Sequence, residues 1–213
     1  MPTPTGNENM AGALLMAQNI CWNESHGYTT TVNGVSTGRT LNPDVDCSAL
    51  VCHCLYQNGF DVTEWGDTAS MLTELGSYQG FTDIYPVTSQ TQFLNGDILV
   101  WDGPGFDGHT FFVAENVRGY SSSDSPLTTV LQKARVEASS SRTGSGNPHQ
   151  AGDQPKNGTG ANWEVWVHSF SFDFTDGNPW HLFRWQGGTP PPPPSINIEI
   201  LLSRWIRKRR NEL

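Results

Sequence analysis

The sequence predicts an α+β domain in which N-terminal helices pack on an antiparallel β-sheet. Apolar residues recur at helical spacing in three segments of the first 76 residues, whereas the rest of the chain turns to short β-branched and aromatic runs broken by Gly, Asp and Asn. Helices that precede strands, rather than alternating with them, define an α+β order. The 213 residues are 36% hydrophobic and 11% aromatic, with eight Trp, enough to bury a real core and too rich in core-forming side chains for disorder.

Asn7 to Cys21 carries apolar residues at 11, 14, 15 and 16, then Ile20, and reads as an amphipathic first helix. Residues 23 to 45, rich in Asn, Gly, Thr and Ser, form a loop that delivers the chain to Asp46. Asp46 is a good N-cap for a second helix, in which Leu50, Val51, Cys54 and Leu55 recur until Asn58-Gly59 ends it. Thr68 to Gly76 reads as a short third helix. Strands are expected over Asp97 to Trp101, Thr110 to Glu115, Thr128 to Ala138, Glu164 to Phe170 and Leu182 to Trp185. Ser139 to Asn162 is polar and Gly-rich, a long functional or mobile loop. These elements place the catalytic-size domain at 1–187. Pro190 to Pro194 then stiffens a linker over 188–195, ahead of a tail over 196–213. In that tail Ile198, Leu201, Leu202, Trp205 and Ile206 suit one helix face, and Arg204, Arg207, Lys208, Arg209 and Arg210 follow. It reads either as a contact for an anionic surface or another chain, or as a frayed terminus.

The formal charge is −9, and the basic tail makes the preceding body more acidic still, which argues against a nucleic-acid groove. The N-terminus offers only the short apolar stretch Ala11 to Ala17, with no basic leader or cleavage site, so the expectation is cytoplasmic synthesis without a signal peptide. No stretch reaches the ~18 to 20 apolar residues of a spanning helix. Cysteines at 21, 47, 52 and 54 are poorly laid out for a disulfide framework and read as free thiols. Cys47, Cys52, His53 and Cys54 make a weak zinc set, because adjacent helical residues point about 100° apart. No metal or organic cofactor is expected.

A thiol attacks a carbonyl as thiolate, and the start of a helix favours that anion. Cys47 has this setting, directly after the N-cap; Cys52 and Cys54 lie further along and read as core thiols, with Cys21. Among six histidines His109 is the best placed base, in Asp107-Gly108-His109-Thr110-Phe111-Phe112-Val113, where a strand follows a Gly-rich turn.

Asp46-Cys47-Ser48, then Gly96-Asp97 opening one strand and Gly108-His109 opening the next, occur in the order of the NlpC-type cysteine peptidases, a papain-like family of cell-wall hydrolases that the chain resembles from about residue 8 to 186. Ser25-His26-Gly27-Tyr28, Val136-Glu137-Ala138, Gly152-Asp153-Gln154, Pro179-Trp180 and Phe183-Arg184 extend the likeness toward the phage endolysins of that group. The resemblance implies a papain-like fold in which Cys47 is the nucleophile, His109 the base and the backbone N–H of Cys47 part of an oxyanion hole. It implies substrate-side places for His26, Tyr28, Asp46, Asp153 and Gln154. The family's third member is usually a histidine on the next strand, and Glu137 holds the aligned position here. A carboxylate can orient an imidazole; Asn116 and His149 are the other candidates, and Glu137 otherwise reads as a solvated strand-face carboxylate. Trp65, Trp101 and Trp163 are possible groove residues or core. The implied activity is cleavage of a peptidoglycan amide in the stem peptide, with the muramoyl-alanine amide or a cross-bridge as alternative bonds. Peptidoglycan is the implied partner and the bacterial wall the place of action, reached at lysis through a holin-like pore. A noncatalytic wall-binding or tail-associated protein, or a papain-like acyltransferase, are the rival classes.

Overall fold

In the computed structural model, the residues described are 6–22, 45–103, 108–119, 129–139, 164–170 and 180–187. Three helices come first: α1 (Met10–Trp22), α2 (Cys47–Gln57) and α3 (Thr68–Ser77). Six strands follow: β1 (Phe81–Ile84), β2 (Ile98–Trp101), β3 (His109–Gly119), β4 (Thr129–Ser139), β5 (Glu164–Ser169) and β6 (His181–Trp185). They form one antiparallel sheet in the order β1-β6-β2-β3-β4-β5. The mixed α+β class expected from the sequence is therefore observed.

Local chemistry explains where the helices begin and end. Asp46 adopts an extended backbone and accepts from the amide of Ala49 at 2.7 Å, an N-cap that starts α2 at Cys47. At the other end Gly59 takes φ +87° and lies so close to the carbonyl of Asn7 that a Cβ would sit 2.7 Å from its oxygen, so only glycine fits there. The helix α1 starts later than expected, at Met10 instead of Asn7. Asn9 caps it through Oδ1 to the amide of Gly12, while the Asn9 N–H donates to the carbonyl of Asn58 and keeps the preceding residues extended against the end of α2. Asp67 and Ser70 form a reciprocal capping box at the start of α3.

Both faces of the sheet are covered, which the period-2 alternation of β3 makes visible. Phe112 and Ala114 join Val136, Val167 and Phe183 in the core that receives the helices, through Leu50, Val51 and Leu55 of α2. Phe111 and Val113 point the other way and pack with Phe93, Leu99 and Leu182 in a second, smaller cluster. Burying both faces removes the solvated side of an ordinary antiparallel sheet, with direct consequences for Glu137.

Strand β1 was not expected, β3 runs longer than the sequence suggested, and β4 has its expected length, displaced by one residue. Their ladder continues from Phe112↔Val136 to Gly119↔Thr129. Among the described residues no helix is long and apolar enough to cross a membrane. Of the expected loops over 23–45 and 139–162, only Val45 and Ser139, the last residue of β4, are described; the proline-rich linker and the basic tail lie outside the described residues.

Candidate active site

The candidate nucleophile and base come from different layers. Cys47 is the first residue of α2, 5% exposed, with its sulfur 4.0 Å from the carbonyl oxygen of Gly108. His109 opens β3 immediately after that carbonyl, which brings its ring close enough to Cys47 for the thiol to help raise the imidazole pKa. Glycine at 108 is what lets the two elements approach: a Cβ there would lie 2.9 Å from Cβ and 3.0 Å from Cγ2 of Thr68, at the start of α3. Thr68 is held in turn by a 3.0 Å hydrogen bond to Asp102.

The far side of the imidazole meets a carboxylate. Nε2 of His109 donates to Oε2 of Glu137 at 2.9 Å, which leaves Nδ1 as the nitrogen available to the thiol. Glu137 is not the solvated strand-face residue that its neighbours in sequence suggest. It is 3% exposed, on the sheet face closed by Phe111 and Trp166, because that face is buried as well. Its other oxygen, Oε1, accepts from Nε2 of His168 on β5 at 2.8 Å, and Nη1 of Arg135 lies 3.9 Å from Oε2. The sequence reading did not single out His168 or Arg135.

Electrostatics follow from this burial. Burial alone would push the His109 pKa down, but the Glu137 charge, the hydrogen bonds to Cys47 and Glu137 and the Cys47 charge together raise it from 6.5 to about 10. Burial would raise the Glu137 carboxyl, yet the two imidazoles hold it well below 4.5. The Cys54 thiol is pushed up, first by burial and then by the charge of Cys52, so it is a neutral core thiol. The start of α2 adds its unpaired amides and macrodipole on the side of a negative sulfur at Cys47.

Two tryptophans flank the imidazole. Trp101 is its register partner on β2, and Trp180 presents its edge to the His109 ring at 6.4 Å while packing on Trp101 at 5.9 Å. Trp65 is elsewhere, stacked on His53 at 4.5 Å, and His53 is hydrogen-bonded to Glu64 at 3.0 Å. Among the described residues no group of three or more His, Cys, Asp or Glu is placed to hold a metal ion.

Asp46, expected on the substrate side, has its carboxylate at the helix cap, where it also accepts from the Ser48 hydroxyl at 3.0 Å; its geometry is that of a residue fixing the direction of α2. Asn116 is exposed, with φ 53°, and seven residues along β3 from His109 it lies ~23 Å away, out of reach of the imidazole. His26, Tyr28, His149, Asp153, Gln154 and Trp163 lie outside the described residues. The Gly96-Asp97 and Phe183-Arg184 motifs do meet: Asp97, 1% exposed, receives Nε and Nη2 of Arg184 at 2.8 and 2.7 Å and clasps β2 to β6.

No family model matches the sequence, and no curated protein matches it significantly. What the site can do is therefore read from its own geometry: a helix-start thiol, an imidazole whose protonated form is strongly favoured, and a buried carboxylate orienting it.

Proposed function

We propose that the chain is a papain-like cysteine peptidase or amidase of the NlpC type that hydrolyses an amide bond of peptidoglycan. The observation that carries the chemistry is the line of contacts from Cys47 through His109 to Glu137, with the sulfur at the first turn of a buried helix. The substrate class rests on the resemblance of the Asp46-Cys47-Ser48, Gly96-Asp97 and Gly108-His109 segments to cell-wall hydrolases.

In this mechanism the Cys47 sulfur attacks the amide carbon, and the carbonyl electrons move to oxygen, where the backbone N–H of Cys47 helps to hold the oxyanion. The C–N bond then breaks as protonated His109 gives its proton to the departing amine, leaving a thioester. Neutral His109 next takes a proton from water as the water oxygen attacks that thioester. The acid leaves, the sulfur departs as thiolate and the imidazolium is restored. Glu137 keeps the ring in one tautomer and stabilises its charged form throughout. The flanking Trp101 and Trp180 suit the walls of a groove for the stem peptide.

The test is digestion of purified walls followed by mass spectrometry of the new ends. A free amine on the diamino acid identifies an endopeptidase, and a freed L-Ala amine identifies a muramoyl-alanine amidase. Walls left without new ends by folded protein with a reactive Cys47 would refute the proposal.

A further inference from the structure

Glu137 offers two oxygens, and the proposed mechanism uses one. The other meets His168, whose Nε2 donates to Oε1 at 2.8 Å. The three residues stand on adjacent strands, His109 on β3, Glu137 on β4 and His168 on β5, so one buried carboxylate is gripped between two imidazoles. Arg135, on the same strand as Glu137, is the further charge facing it, with Nη1 3.9 Å from Oε2. On β5 the His168 ring is itself fixed by stacking on Trp166, with centroids 3.8 Å apart and planes within 14°.

The last torsion of a glutamate is broad and roughly two-fold, so a single hydrogen bond leaves the carboxylate plane poorly determined. A second donor on the opposite oxygen, mounted on a stacked ring, determines it. We propose that His168 is a positioning residue of this site, holding the Glu137 carboxylate at the rotation that presents Oε2 to His109. This deepens the proposed function and rests on it for the catalytic readout alone. Partners of this kind, one step removed from a reacting group, are worth on the order of 10- to 100-fold in activity.

Three variants separate positioning from mere satisfaction of a buried carboxylate. His168→Gln places an amide N–H where Nε2 stands; His168→Phe keeps a ring for Trp166 but has no donor; His168→Asn keeps a donor too short to reach Oε1. The expected result is a loss of about 10-fold or more in kcat for Phe and Asn, KM nearly unchanged, and recovery to within about 3-fold for Gln. A second measurement needs no wall substrate: the pH profile of Cys47 alkylation, read by mass spectrometry, should shift in Phe and Asn and keep its wild-type shape in Gln. If the wild type cuts no walls, the functional reading fails while this profile still tests the positioning. Should Phe be recovered unfolded, the comparison of Asn with Gln decides. Folded Asn or Phe protein with wild-type kcat and alkylation profile would overturn the inference, as would a Gln variant as impaired as the other two.

Discussion

Replacing Glu137 by Gln keeps the shape of the buried side chain and removes its charge, which makes it the most informative single perturbation. An amide presents one oxygen and one NH2 to the two imidazoles now sharing the carboxylate, so one of the 2.9 and 2.8 Å contacts must lose its acceptor. The Glu137 charge is the largest influence that raises His109, and without it burial draws the pKa from about 10 back toward or below 6.5. A fall from about 10 to 6.5 lowers the weight of the imidazolium form at alkaline pH by ~3000-fold. We therefore expect kcat to drop between ~10- and ~1000-fold near neutral pH, with the alkaline limb of the rate profile moving to lower pH and the bell narrowing. Stability should move as well, because Glu137 is buried rather than exposed. Removing one partner of a buried pair costs about 3–5 kcal/mol, and since an amide retains one hydrogen bond, about 3 kcal/mol is expected, or roughly 6–12 °C in Tm for a domain of this size. The pH dependence has a definite sign. The raised His109 contributes stability that is full below 6.5 and is lost as pH rises toward about 10, whereas the lowered Glu137 contributes stability that is present above 4.5 and is lost in acid. The wild-type advantage should thus be widest between pH 4.5 and 6.5 and shrink by pH 10. Thermal melts of both proteins at pH 5.5 and 10, with kcat against pH, measure all of this. Equal Tm differences at the two pH values, or an unmoved alkaline limb, would refute the coupling of Glu137 to His109.

Further outcomes follow from other contacts. Iodoacetamide at mildly acidic pH should modify Cys47 before Cys21, Cys52 or Cys54 and abolish activity, while Cys54→Ala keeps kcat and costs about 1 kcal/mol; peptide mapping and chemical denaturation check both. Gly108→Ala should press on Thr68, displace the Gly108–His109 segment from Cys47 and cost about 1–3 kcal/mol, with kcat falling more than 10-fold; kinetics alongside melting separate the two effects. Arg184→Leu leaves Asp97 charged and buried without its guanidinium and should cost about 3–5 kcal/mol in denaturant titration, and Asp97→Asn in the same chain should recover part of that loss.

The parts of the fold that were legible in the sequence are those written in local chemistry. Asp46 before Cys47 and Asn58-Gly59 after Gln57 mark both ends of α2 within a few residues, so the setting of the nucleophile could be read directly. The strand that delivers His109 was visible as an apolar run behind a glycine. Strand β1 was not, since Phe81-Thr82-Asp83-Ile84 is four residues with an acid inside and acquires its structure by pairing with β6, a hundred residues later. The environment of Glu137 was hidden for a similar reason. Val136-Glu137-Ala138 alternates as a half-solvated strand would, and only the second cover of the sheet, built from β2, β3 and β6 with Phe93, turns that polar face inward. His168 follows a long Gly-rich segment, and its opposition to Arg135 is a register that no local pattern encodes.

Asp97 and Glu137 are both buried carboxylates at the sheet, and comparing them shows why Glu137 belongs to a candidate site and Asp97 does not. Asp97 and Glu137 are almost equally inaccessible, and each is satisfied by donors from neighbouring strands. The donors to Asp97 are the Arg184 guanidinium and the backbone amide of Leu94, groups that keep their protons over the whole working range of pH. That clasp can only be made or broken by unfolding. The donors to Glu137 are imidazoles, and the one on His109, whose pKa the buried carboxylate raises, lies beside a thiol at a helix start. A buried ion pair alone is weak evidence of function, because desolvation offsets much of its attraction. What sets the β3–β4–β5 arrangement apart is that its charge is aimed along a proton-carrying ring at a nucleophile, so the strand pairing that buries Glu137 also completes the chemistry.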